Sequence, residues 1–292
     1  MLMKSTAIPL LCLLLSYAAM AQSSTDKLEE AAKSDPLVLQ EVLENAHWVV
    51  DIGAFYANLD SNIRIDGAGG NFGTELDFES DLGLEEREAL FNASVTYAGW
   101  DRWIIGAEWF ELDRNASTTL RRDVEWGNTL LPLGAAIDAY FNVNIVRIFA
   151  GYELYRSDNT RAGVSMGVHG AGMEAGIDAK FDLAGGSLGQ FESEADTGAI
   201  LPLPNFGLWA YHAFTDRLVG AVRFDAFALE IDEYRGTLIS TGASLRYRAT
   251  EKLSLGAGYS FFDLDVRMER SRWNGEARFS YHGPRLFVFY AW

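Results

Sequence analysis

From His47 to Trp292 apolar residues recur at every second position, the period of a half-buried strand rather than of a helix. Trp48, Val50, Ile52, Ala54 and Tyr56 share one face of the first run, opposite Val49, Asp51, Gly53, Phe55 and Ala57. Ala89, Phe91, Ala93, Val95 and Tyr97 oppose Asn92, Ser94 and Thr96 in the second, and Trp103, Ile105, Ala107 and Trp109 oppose Gly106, Glu108 and Phe110 in the third. Further runs follow at 138–154, 161–178, 203–214, 218–231, 236–248, 253–270 and 274–292. The pattern predicts about ten strands, with eight and twelve as the neighbouring even counts.

The links between runs are of two kinds. Gly99–Arg102, Ser157–Thr160, Thr215–Arg217 and Ala249–Lys252 are tight turns, whereas 66–87, 113–137 and 179–202 are long, and 232–235 and 271–274 are intermediate. Short turns on one rim and long loops on the other describe a transmembrane antiparallel up-and-down β-barrel with both termini on the short-turn side. Trp and Tyr near the ends of the outer face fit the aromatic girdles at the two membrane interfaces. The opposite face holds Asn92, Ser94, Thr96, Gly106, Glu108, Ser165, Gly167, His169, Arg223, Asp225, Ser244 and Arg246. A soluble barrel places polar and apolar faces the other way round.

The first segment changes the picture of where the chain works. Lys4, the apolar run Ala7–Ala19 and the small residues of Ala19-Met20-Ala21 read as a secretory signal peptide over 1–21. Cys12, the sole cysteine, lies inside it, so the mature chain is expected to hold no thiol, disulfide or thiolate metal site. Residues 22–46 differ from the rest: Thr25-Asp26 and Ser34-Asp35-Pro36 are helix starts, and the segment is expected to be a periplasmic or luminal helical extension. Residues 47–292 form the barrel. A net charge of −17 and the lack of any basic patch exclude nucleic acid.

Leu286, Val288, Tyr290 and Trp292 alternate on one face and the chain stops on the aromatic. This resembles the closing strand of Gram-negative outer-membrane proteins, which the barrel assembly machinery reads. The stretches GTELDFESDLGL at 73–84, FTDRLVGAVRFD at 214–225, EKLSLGAGYSFFDLDV at 251–266 and YHGPRLFVFYAW at 281–292 resemble a family of small, uncharacterised proteobacterial outer-membrane barrels. That resemblance implies the fold and an outer-membrane location with periplasmic termini. It implies no reaction. It also implies contact with outer-membrane lipids and lipopolysaccharide, and leaves room for an unidentified periplasmic or extracellular partner.

Catalytic patterns of envelope barrels are not met. None of His47, His169, His212 and His282 has an aspartate within two residues, as an omptin-like protease would need, and none is followed by the His-x-Ser of a small-barrel deacylase. Asp60-Ser61 is a palmitoyltransferase-like pair with no identifiable histidine, and no Ser-His-Asn phospholipase set is found. No enzyme, metal or cofactor is predicted. Glu75, Asp77, Glu79 and Asp81 fall at every second residue and, with Glu85 and Glu86, are read as a solvated extracellular rim rather than a calcium site. Asp263 and Asp265 are read the same way.

Strand parity turns Asp51, Glu108, Arg223, Asp225 and Arg246 inward, with His169 beside them, and charges of this kind suit either a structural network filling a narrow barrel or the lining of a small pore. The expectation is that Arg223 and Arg246 pair with Asp225, Asp51 and Glu108 in one midplane network. The predicted role is non-enzymatic, structural or surface-interacting, with a narrow solute channel as the alternative and a rim hydrolase or protease third. A phase problem accompanies the last strand. Ala277, Phe279 and Tyr281 have the opposite parity to Leu286 and its partners, so if both sets face lipid, a bulge is expected at Gly283-Pro284.

Overall fold

The computed structural model describes residues 47–66, 73–126, 128–182, 188–196, 201–231, 234–269 and 274–292. The signal segment and the extension expected at 22–46 lie outside the described residues. Ten long strands form the wall: β1 (Trp48–Ile65), β3 (Arg87–Trp100), β4 (Trp103–Thr119), β7 (Ala136–Arg156), β8 (Thr160–Asp182), β10 (Leu201–Ala213), β11 (Leu218–Ile231), β12 (Tyr234–Arg248), β13 (Leu253–Glu269) and β14 (Asn274–Ala291). The long links add β2 (Leu76–Asp77), the hairpin β5 (Val124–Trp126) and β6 (Thr129–Leu131), and β9 (Leu188–Asp196). Each wall strand pairs antiparallel with the next, and β14 closes the ring on β1 from Val49↔Ala291 to Ile65↔Gly275. The closure is locked at the termini, where the Trp48 and Trp292 backbones exchange N–H···O bonds of 3.0 Å.

With the tight turns and termini taken as the lower rim, the outer wall carries an apolar belt. Its lower edge has exposed Trp48, Trp100, Trp103, Tyr155, Tyr247, Tyr290 and Trp292, and its upper edge has Tyr56, Phe91, Trp109, Phe206 and Tyr259. From Trp48 to Tyr56 is about 26 Å of strand, or roughly 20 Å of height once tilted, which with the reach of the terminal side chains is comparable to the apolar band, about 25 Å tall, of an outer-membrane barrel. A tilted strand needs only about 9–11 residues to cross that band. β7 has 21 and β8 has 23, so their upper halves stand clear of it.

Above the belt the polarity of the wall inverts while the parity of each strand is unchanged. On β1 the outward residues pass from Ile52, Ala54 and Tyr56 to Asn58, Asp60 and Asn62, and the inward ones from Asp51 to Phe55, Leu59 and Ile63. On β7 the outward Asp138, Asn142 and Asn144 give way downward to Val146 and Ile148, and the inward Phe141, Val143 and Ile145 give way to Arg147. The upper barrel is thus filled by one apolar core that includes Leu112, Ile137, Phe141, Ile177, Leu238, Leu264 and Phe279. Full burial of such side chains contributes about 1.5–3 kcal/mol each. The polar or small interior expected along the whole strand holds in the lower half only.

The inversion also removes the phase problem of the last strand. β14 pairs with β13 from Leu253↔Tyr290 to Glu269↔Asn274, and with β1, without a shift of register, so the bulge expected at Gly283-Pro284 is absent. Ala277, Phe279 and Tyr281 face the apolar core, not lipid, and Leu286, Val288, Tyr290 and Trp292 face outward below them.

The acidic segment is likewise not a solvated strand. After β2, Phe78–Leu82 turns, and Leu76, Phe78, Leu82 and Leu84 are buried in the core. The turn fits between the upper ends of β1 and β4: the Phe78 N–H donates to Ser61 O at 2.9 Å, and the Glu79 carboxylate accepts from the Ser61 N–H at 2.9 Å and from Arg114 on β4. Both side chains of the Arg114–Glu79 pair are nearly inaccessible. Burial pushes the Glu79 carboxyl above its ordinary range, and Arg114 opposes this without overcoming it. Asp81 remains at the surface, paired to Arg122 at 2.7 Å.

Candidate functional site

The lower lumen is not filled. It encloses a cavity of about 320 Å³ lined by Asp51, Asn92, Ser94, Thr96, Glu108, Arg147, His169, Arg223, Ser244, Arg246 and Arg285 among others. Its ceiling is a layer of rings at the level where the wall inverts. Tyr281 lies 5.0 Å from Phe55, 5.2 Å from Phe110 and 5.1 Å from Phe262, centroid to centroid. Toward the lower rim, Val49, Thr96, Ile104, Trp209, Tyr211, Arg246 and Phe289 line both this cavity and a smaller one of about 110 Å³ that reaches Asp101, Arg102 and Arg248 at the tight turns. The ring layer closes the polar space above, and the smaller cavity extends it toward the tight turns.

The charges divide into two clusters and a remainder. In the first, Arg147 donates to Asp225 at 2.8 Å and to Glu108 at 3.2 Å, while Arg223 donates to Glu108 at 3.0 Å and also bonds Asp225. Asn205 Nδ2 gives Asp225 a further bond at 2.8 Å. Asp225 is fully buried, and a buried carboxylate persists only with donors of this number and charge. Gly207 makes the arrangement fit, because a Cβ there would collide with the Asp225 carboxylate and the Ser165 hydroxyl. In the second cluster Asp51 pairs with Arg285, whose Nε donates to Asn92 at 3.1 Å. Gly53 leaves room for that guanidinium, since a Cβ would sit 2.8 Å from its Nε.

Arg246 does not join either cluster, contrary to the single network expected. It has no carboxylate within ion-pair distance among the described residues, and its guanidinium instead lies 3.9 Å from the Phe289 ring centroid and 5.9 Å from that of Tyr211. Asp51, expected beside Arg223 and Arg246, is taken by Arg285. Arg147 and Arg285 lie outside the charges expected from the sequence, although parity marks both: Arg147 interrupts the inward apolar series of β7, and Arg285 alternates with Leu286 and Val288.

The remaining candidates do not assemble a catalytic set. His47 stacks on Tyr97, His212 Nδ1 meets Thr160 Oγ1 at 2.8 Å, and His282 Nδ1 meets the Tyr259 hydroxyl at 2.6 Å on the outer wall. His169 is buried in the lumen, with no hydrogen-bond partner at Nδ1. Asp60 and Ser61, adjacent on one strand, point to opposite sides of the wall, Asp60 to solvent and Ser61 to Arg114. Among the described residues no three His, Cys, Asp or Glu side chains converge on a point where a metal could sit.

No family model matches the chain, and no curated protein matches it. Solved structures do. The outer membrane protease OmpT from Escherichia coli is similar at 11% identity over 84% of this chain and 96% of its own, with a TM-score of 0.55. The toluene transporter TodX of P. putida matches at 10% identity over 84% and 90%, TM-score 0.38, and the attachment invasion locus protein Ail of Yersinia pestis at 12% over 82% and 99%, TM-score 0.25. At 11% identity the likeness to OmpT is one of fold alone. The chain is a ten-stranded barrel of the outer-membrane type.

Proposed function

We propose that this protein is a non-conducting, non-enzymatic outer-membrane barrel, inserted with its tight turns and termini in the periplasm, whose structural or surface-interaction role is carried by the half that stands above the bilayer. The observation that carries this reading is the sealed upper lumen. Passage of an ion needs a continuous file of water, and the ring layer of Phe55, Phe110, Phe262 and Tyr281 is backed by a close-packed core containing Phe141 and Phe279. The apolar belt and its two aromatic edges support the location, and the short-turn rim supports the orientation. The exposed closing residues Leu286, Val288, Tyr290 and Trp292 supply the side chains that the assembly machinery would read, and lipid and lipopolysaccharide are the partners of the belt.

Planar-bilayer recording of the purified full-length protein tests the reading. No steps, or only small ones, are expected. Regular single-channel openings would overturn it and favour a narrow solute channel. Fractionation with the outer membrane and heat-modifiable mobility on gels are expected in parallel, and release of fatty acid or peptide from envelope substrates would restore the enzymatic alternative.

A further inference from the structure

We propose that the lower lumen is a receptor site for a small anion with oxyanion oxygens, a carboxylate or a phosphate, held by Arg246 and entered from the short-turn rim. The charge balance of the cavity comes first. Four arginines, Arg147, Arg223, Arg246 and Arg285, stand against three carboxylates, Asp51, Glu108 and Asp225, in a protein whose overall charge is −17. Every one of these groups except Arg246 is engaged in an ion pair. The surplus positive charge therefore sits on one identified side chain.

Its surroundings define what it can hold. Phe289 and Tyr211 lie on the guanidinium as aromatic partners, which leaves its edge N–H groups as the free donors, and they make no hydrogen bond among the described residues. A planar edge of parallel donors matches the paired oxygens of a carboxylate or phosphate. Arg246 lies where the two cavities meet, with Thr96 lining both and Ser244 two residues along on the same inward face. At about 30 Å³ for each water displaced, the larger cavity admits a small organic anion. The aromatic neighbours favour one with a flat apolar body.

Isothermal titration of the detergent-solubilised full-length protein with inorganic phosphate and, separately, with benzoate tests the proposal and distinguishes the two anion sources. Saturable binding of at least one is expected, weakened about tenfold to a hundredfold in Arg246→Met and less in Arg246→Lys. No saturable binding of either anion, or equal affinity in Arg246→Met, would overturn it. If Arg246→Met does not assemble, arginine-selective ¹⁵Nε NMR of the unaltered protein decides: one guanidinium resonance should move on titration, and movement of none, or of several equally, counts against the site. The site does not rest on the barrel being closed. Anion binding together with measurable conductance would remove the non-conducting reading and leave this one standing.

Discussion

The lower and upper halves of this barrel are built from the same strands with the same side-chain alternation, yet they are two different kinds of protein. In the lower half the outer face is apolar and the inner one polar, because lipid lies outside and a polar-lined cavity inside. In the upper half the outer face carries Asn58, Asp60, Asp113 and Asp138, and the inner one is a sealed apolar core, the arrangement of a soluble barrel. Alternation fixes which residues share a face, but the solvent on each side of the wall decides which face must be greasy. The point of inversion, near Phe55, Phe110, Phe262 and Tyr281, marks the upper edge of the bilayer more directly than any aromatic girdle does.

The harshest test exchanges the two environments on one strand. Phe279→Arg puts an unpaired charge into the sealed core and removes a ring packed against Phe141, Phe262 and Tyr281, so a loss of about 5 kcal/mol or more and little folded barrel are expected. Leu286→Arg, on the lipid face and 69% exposed, should cost about 2–4 kcal/mol. Ser280→Arg, outward and opposite Asp60 and Asp263, should stay within about 0.5 kcal/mol. Urea unfolding in lipid vesicles ranks the three. If Ser280→Arg proves as damaging as Leu286→Arg, the bilayer reaches higher than the inversion implies.

Next in size is the buried pair that joins the turn at Phe78–Leu82 to the upper wall. Arg114→Ala removes the cation that opposes burial of the Glu79 carboxyl and leaves that buried group without its partner, and should cost about 3–5 kcal/mol. Glu79→Gln keeps an acceptor for Arg114 and should cost less. The pH dependence has a definite sign. Because the folded carboxyl holds its proton more tightly than the unfolded one, Glu79 favours the folded state below its ordinary titration range, and that contribution is lost as pH rises through the raised value. The stability difference between the natural protein and Glu79→Gln should therefore shift in favour of the natural protein on acidification, and a shift the other way would mean that Arg114 dominates.

What the sequence made legible follows from the same contrast. Strand number, rim asymmetry and the facing of Asp51, Glu108, Arg223, Asp225 and Arg246 depend on local alternation and turn length, which need no knowledge of the environment. The misplaced features depend on it. A bulge at Gly283-Pro284 follows from the sequence only if Ala277, Phe279 and Tyr281 face lipid with Leu286, and they face the sealed core instead. The every-second-residue spacing of Glu75, Asp77, Glu79 and Asp81 reads as a solvated strand face, whereas the buried Leu76, Phe78, Leu82 and Leu84 decide where that segment goes. Which carboxylate meets which arginine depends on register across the lumen, and nothing local specifies that Asp51 meets Arg285.

A smaller effect is expected from Arg223→Ala in the lower half. Glu108 and Asp225 would retain Arg147, and Asp225 its bond from Asn205, so a loss of about 1–3 kcal/mol should follow rather than collapse. Conductance should not appear, because the ring layer above is untouched. A pore opened by this one substitution would mean that the charges, not the core, close the lumen.

The smallest thermodynamic change, and the one that separates folding from assembly, is Trp292→Ala. The side chain is about half exposed on the lipid face and its ring meets Tyr290, while the two backbone bonds to Trp48 that close the barrel do not depend on it. Stability of barrel already folded should fall by no more than about 1 kcal/mol, as for an exposed site away from the core. If the terminal aromatic is what the assembly machinery reads, the amount of barrel inserted in cells should nevertheless drop, with export across the inner membrane unchanged, and Trp292→Phe should restore it. Quantifying the heat-modifiable form in outer-membrane fractions checks this. An unaltered yield with Ala would assign Trp292 to the lower aromatic belt alone, and a parallel loss of yield and of refolded stability would assign it to the closure of β14 on β1.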